Sequence, residues 1–164
     1  MADSAFTSAL GIITGRMTFI KIDPTYTELV TSGNIDIIRE EQLKKDLVIY
    51  FKGLEKVEQI INKNNQHFTD DHFLKTVLTL SEIQVTFNHK IGTYFIDKIK
   101  KQGTIDLNED RLKELTRMQL KKPENELLMI NLINFRHFLA LAHIDFMNDQ
   151  KEKTLGLIKQ IAKR

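Results

Sequence analysis

Chemistry in this 164-residue chain could sit in two places. Arg136 and His143 are seven residues apart, so on a helix they stack on one face, with Met129, Ala140 and Met147 nearby. A guanidinium presents a planar fork of donors, so this pair could line a small-ligand pocket for an anion or carboxylate. The same stripe could instead be the exposed face of its helix, or Arg136 could pair internally with an acidic residue of another helix. The second place is the run His67-Phe68-Thr69-Asp70-Asp71-His72, with two imidazoles and two carboxylates. Those groups are acceptable zinc or nickel ligands. Their spacing is not the i, i+4 histidine pair of an HExxH helix, and Thr69 or Asp70 capping the next helix accounts for the cluster without a metal. No metal and no cofactor is expected.

Further chemistry is hard to find. The chain has no cysteine, which removes disulfides, thiolate metal sites and cysteine nucleophiles. It has no Gly-rich phosphate loop, no GxSxG and no paired carboxylates that spacing could justify, so no catalytic residues are named. The 24 basic side chains nearly balance 22 acidic ones, for a net charge of +2. Lys and Glu are interleaved along helical stretches such as Glu40-Glu41-Gln42-Leu43-Lys44-Lys45, which reads as a solvated surface rather than a nucleic-acid interface.

The elements that would position these residues are helical. A single domain over residues 1–164 is expected, all-α, as an up-down helical bundle with three long helices and two or three short ones. Asp23 to Gly33 reads as one punctuated short helix: Asp23 at the N-cap, Pro24 in the first turn, Gly33 in a left-handed stop. Tyr26 and Glu28 on it are candidate partner-binding residues, because a conspicuous turn on a rigid scaffold suits recognition. Residues 40–66 carry Leu43, Leu47, Tyr50, Leu54, Val57 and Ile61 at steps of four and three, the seam of helices packed at shallow angles.

Residues 70–101 carry Phe73, Val77, Leu80, Phe87, Ile91 and Tyr94 on a similar stripe, which Gln84 interrupts, with Gly92 inside the helix at a cost of about 1 kcal/mol relative to alanine. Ser81 with Gln84 as a capping box would split this segment near Leu80. Residues 62–66 and Gln102-Gly103-Thr104 read as helix ends. Residues 16–22 read as extended chain or a packed connector. Asn108 is expected to cap a helix running to Leu120 with Leu112, Leu115 and Met118 inward, and Pro123 to open the last helix.

In that last helix the seam is Leu128, Leu132, Phe135, Leu139, Ala142 and Phe146, while Leu127, Ile130, Phe138 and Leu141 cover a second face. Asn131, Asn134 and Asp145 interrupt the second face, as register-fixing groups or as the lining of a polar pocket. A helix apolar over so much of its circumference is expected to be central and covered on more than one side. Residues 127–144 are long enough to span a bilayer, but Asn131, Asn134, Arg136, His137 and His143 make a buried core helix the expected reading.

Two stretches carry a resemblance. The string from Pro24 to Phe51, with its Tyr-Thr-Glu-Leu-Val-Thr-Ser-Gly-Asn-Ile turn before a long helix, and the later Lys-Lys-Pro-Glu-Asn-Glu-Leu-Leu are similar to a bacterial domain-of-unknown-function family. The resemblance runs from about Gly15 to the C-terminus. It implies a helical extracytoplasmic domain behind one N-terminal membrane helix, and it supplies no active-site residues. The basic segment and membrane helix of that pattern are missing from this chain, so any membrane link would run through an anchor it lacks. The functional expectation is a non-enzymatic interaction or sensory domain of a membrane-anchored bacterial protein, on the periplasmic side. Its partner would be an unknown protein or a second copy, with no nucleic acid. The alternatives are a small-molecule-binding bundle around Arg136 and His143 or a metal-dependent enzyme.

Overall fold

The structure, a computed structural model, describes residues 4–83 and 110–162, and all regular structure among them is helical. In chain order the elements are α1 (Ser4–Thr14), α2 (Pro24–Thr31), a 3-10 turn (Asn34–Ile37) and α3 (Glu41–Asn64). A π-helix (Asn65–Leu74), α4 (Lys75–Leu80), α5 (Asp110–Leu120) and α6 (Pro123–Ala162) follow. The chain leaves the helix at Ser81, whose backbone is extended (φ −144°, ψ 144°), so a joint does fall near Leu80. The expectations for Gln84, Phe87, Ile91, Gly92, Tyr94, the Gln102-Gly103-Thr104 break and the Asn108 cap lie outside the described residues.

Local physics explains the short elements. Pro24 occupies the first turn of α2, where its missing N–H has no helical partner to lose. Gly33 ends the turn at φ 74°, a conformation that a Cβ would strain. Asp23 sits at the N-cap position but makes no side-chain cap bond. Its carboxylate lies 3.0 Å from Lys21 Nζ instead, because an ammonium two residues away outcompetes the helix N–H groups.

α3 ends at Asn64, inside the stretch read as a helix end, but the chain does not leave the helix there. Residues 62–66 stay helical and Asn65–Leu74 opens into a π-helix, so neither Thr69 nor Asp70 is a cap. The reason lies in the buried row Val57, Ile61, Asn65, Thr69, Phe73 and Val77, which repeats every four residues. An α-helix turns about 100° per residue, so such a row drifts about 40° per step and soon leaves the buried side. The wider i→i+5 turns of a π-helix cancel that drift and keep the row inside.

The chain divides into two compact units. The first takes the described residues of Met1–Met17 and Gln66–His137. Its core is Leu10, Phe73, Val77, Leu80 and Met129, flanked by Phe6, Phe68 and Leu132. Phe68 stacks on Phe73 (centroids 6.2 Å apart) and meets Phe135 edge-on at 4.5 Å. In α5 the inward residue is Thr116, whose hydroxyl accepts the Glu82 backbone N–H at 2.8 Å. Leu115 and Met118 are exposed, contrary to the expected inward set, because that hydrogen bond turns the 112–116–120 edge of the helix inward.

The second unit takes Thr18–Asn65 and the described part of Phe138–Arg164. Here the expected α3 seam holds: Leu43, Val57 and Ile61 are buried, and Leu47, Tyr50 and Leu54 are half-buried. Tyr26 of α2 stacks on Phe51 at 3.9 Å. A polar ladder joins α3 to the later turns of α6. Gln160 Nε2 donates to Asp46 Oδ2 at 3.2 Å, the Tyr50 and Thr154 hydroxyls lie 2.7 Å apart, and the Asn64 amide donates to His143 Nε2 at 3.3 Å. The Thr154 hydroxyl donates to the Gln150 carbonyl, so Tyr50 is the donor in the middle rung. Partner numbers fall along one helix as they rise along the other, which makes the pair antiparallel.

Candidate functional site

Helix α6 positions most of the residues of interest, and its inward side is not the seam its hydrophobicity suggests. The side facing the protein is Met129, Leu132, Arg136, Leu139, His143, Phe146 and Gln150, again at steps of three and four. Leu128 (43% exposed) and Phe135 (47%) of the expected seam lie largely outside it. The stripe containing Arg136 and His143 is therefore turned inward rather than outward.

Arg136 is half-buried and acts on backbone. Its Nε donates to the Ile13 carbonyl at 3.1 Å and its Nη2 to the Gly15 carbonyl at 2.8 Å. These carbonyls belong to the last turn of α1 and the residue just past it, where helical partners run out and the dipole places partial negative charge. The guanidinium thus caps α1, and burial pushes its pKa below the ordinary arginine value. A salt bridge between Arg16 and Asp70 (3.1 Å) separately ties the chain following α1 to the π-helix. His143 is held by Asn64 in the second unit. Arg136 and His143 thus each engage groups of the protein itself, Arg136 at the end of α1 and His143 at Asn64 of α3.

The other sequence candidates are placed as follows. In the 67–72 cluster, Asp70 is turned to Arg16. His67 Nδ1 lies 3.6 Å from Asp71 Oδ2 with both side chains more than half exposed, and His72 is exposed. Among the described residues no group of three or more His, Cys, Asp or Glu could hold a metal. Tyr26 packs on Phe51 as above, and Glu28 is exposed on the same short helix. A depression beside Lys44, Lys45, Val48 and Ile49 is open to solvent and encloses nothing.

The conspicuous surface is the outer side of α6. The central, doubly covered helix expected from its composition is not what the described residues form: only 11% of its most apolar 18-residue stretch is buried. Leu127 is 61% exposed, Ile130 49%, Leu141 48% and Ile144 54%. With Asn134 and His137, both exposed, they repeat at steps of three and four. This outer seam is offset by two residues from the inner one, which is about 200° around the helix. Between Glu126 and Asp145 the only residue charged at neutral pH is Arg136, and it points inward. A protein monomer's largest apolar patch is commonly about 300–600 Å² and often functional. His137 and Ile144 belong to this seam but not to the second face expected from the sequence; the three-four repeat that runs through them was the available signal. Comparison with protein-family models, with curated proteins and with solved structures finds no match for this chain.

Proposed function

We propose that this chain is a non-enzymatic helical interaction module that holds a helical partner on the outer face of α6. The observation that carries this reading is the uncharged three-four seam of half-exposed Leu127, Ile130, Leu141 and Ile144. Three-four spacing is what a second helix, crossing at a shallow angle, fits into. The engagement of Arg136 with backbone carbonyls and of His143 with Asn64 supports it further, because both side chains then serve the fold. The family resemblance at Pro24–Phe51 and at the start of α6 supports an extracytoplasmic setting in a membrane-anchored bacterial protein, with the module facing the periplasm.

The test is site-specific photocrosslinking in a host cell. A photoreactive residue at 127 or 141 should give adducts with a polypeptide, whereas one at Glu152 or Lys159, away from the seam, should give none. Equal labelling at all four positions, or none at the seam, would refute the reading.

A further inference from the structure

We propose that the outer seam of α6 binds a second copy of this chain, with the two α6 helices antiparallel. This rests on the interaction reading above and names the partner for that surface. The argument is self-complementarity. A twofold axis makes residue i meet residue j while j meets i, so a face that pairs with itself must read alike from both ends. The seam does so about a centre between Phe135 and Arg136. Leu127 lies opposite Ile144 of the second copy, Ile130 opposite Leu141, and Asn134 opposite His137. Aliphatic side chains meet aliphatic ones at both ends, and an amide meets an imidazole in the middle. The Asn and His side chains each hold donors and acceptors, so they satisfy one another where each would otherwise be desolvated without a partner. A single polar layer inside an apolar seam is also the usual device that fixes register.

Area and charge agree. At roughly 200 Å² for a large apolar residue and about half of each exposed, the four aliphatic residues with flanking Leu128 present on the order of 500 Å², or about 1,000 Å² over two copies, the lower end for a specific interface. The seam carries no charge of its own, so two copies meet no like-charge repulsion across it. A parallel arrangement would set two His137 rings against each other and align two 40-residue helix dipoles. A bilayer would have to take Asn134 and His137 near its centre, which is costly.

The test uses the purified full chain, whose lack of cysteine makes single-cysteine variants clean. Sedimentation should give a dimer that dissociates on dilution. Leu141→Glu, at an exposed position, should keep the helical circular dichroism while weakening dimerisation about a hundredfold or more, since symmetry places the change in the interface twice. Under mild oxidation, Leu127→Cys and Ile144→Cys chains should crosslink when mixed and not alone, because antiparallel pairing separates identical positions by about 25 Å along the axis.

A parent that stays monomeric at every concentration would overturn the proposal. Leu127→Cys crosslinking to itself would also do so, as a parallel pair. A monomer that floats with phosphatidylcholine vesicles would replace the second copy with a lipid surface. A purified monomer whose residue 141 still captures a foreign polypeptide in the cell would sink self-pairing while leaving the interaction reading standing.

Discussion

Removing the Arg136 fork should undock helix α1. The perturbation is Arg136→Met, which keeps much of the side-chain bulk and deletes both donors. Two charge-assisted bonds are lost, to Ile13 O at 3.1 Å and to Gly15 O at 2.8 Å. A shielded bond of this kind contributes about 1.5–3 kcal/mol net. Gly15 is exposed, so its bond is closer to about 0.5–1 kcal/mol. Against these gains stands the desolvation that lowers the Arg136 pKa, since half-burying the guanidinium opposes its charged form.

The balance is about 2 kcal/mol, or roughly a thirty-fold shift toward the open state. For a chain of this size that corresponds to a fall of about 4–8 °C in Tm. The loss should be local first. Hydrogen exchange of the α1 amides should accelerate more than that of α3, because α1 is a short helix whose anchoring (Thr7 and Leu10 buried, Phe6 and Ile13 packed beside the core) is completed by the Arg136 fork at its C-terminal end. Arg136→Lys should fall between parent and Met variant, since a point charge cannot fork across two carbonyls. If the Met variant melts within about 1 °C of the parent with α1 protection unchanged, the capping role is wrong. Stabilisation of the parent but not the variant by added phosphate would restore the anion-site reading.

Other substitutions test other contacts. Tyr50→Phe and Thr154→Val, alone and together in urea unfolding, should show a coupling of about 1 kcal/mol; strict additivity would mean the 2.7 Å contact contributes nothing. Among the described residues neither buried Glu82 carboxylate oxygen has a hydrogen-bond partner, so Glu82→Gln should raise stability by about 1 kcal/mol, and a lower Tm would reveal a partner for the side chain. Gly33→Ala should cost about 1–2 kcal/mol from backbone strain alone, because nothing lies within 4 Å of the added Cβ. The Asp23 hydrogen bond raises the Lys21 pKa above its ordinary 10.5. That contribution, under about 1 kcal/mol, is complete below the ordinary value and is lost as pH rises through the raised one. The stability advantage of the parent over Asp23→Asn should therefore be flat near pH 8–9 and shrink above about pH 10.5; a constant advantage into that range would exclude the pair.

What could be read ahead of the structure followed from local rules, and what could not involved competition between rules. The start of α2 at Pro24, its stop at Gly33, the α3 seam and the start of α6 at Pro123 each depend on a few adjacent residues, and each stands. The Asp23 cap depended on no rival reaching the carboxylate first, and Lys21 did. Residues 62–66 read as a helix end, and Thr69 or Asp70 as the cap of a new helix, because Asn, Thr and Asp favour such positions. The helicity of residues 62–72 depends on a four-residue row running from Val57 to Val77, which a scan tuned to the α-helical period discounts. In α5, a threonine that accepts a backbone N–H displaced two larger apolar residues from the inward side. Burial there followed a hydrogen bond rather than hydrophobicity.

Helix α6 shows the same competition at the scale of a whole element, and it bears on function. Its composition offers two seams of three-four spacing, and apolar content favours turning the outer one inward. The folded chain does the reverse over residues 127–144, placing Arg136 and His143 against its own carbonyls and amides and leaving Leu127, Ile130, Leu141 and Ile144 half-exposed. Each choice has a physical reason. An arginine that must reach the end of α1 and a histidine held by Asn64 can be satisfied only by specific donors and acceptors, which the chain itself supplies. An aliphatic seam demands only shape and dryness, which another helix can supply just as well. The polar contacts therefore set which side faces in, and the apolar side is left as the surface with most to gain from a partner. If the polar seam sets the rotation of α6, then Arg136→Leu with His143→Leu should let the helix turn its aliphatic face inward and weaken self-association. Unchanged dimerisation in that double variant would show that something other than these two polar contacts holds the outer seam in place.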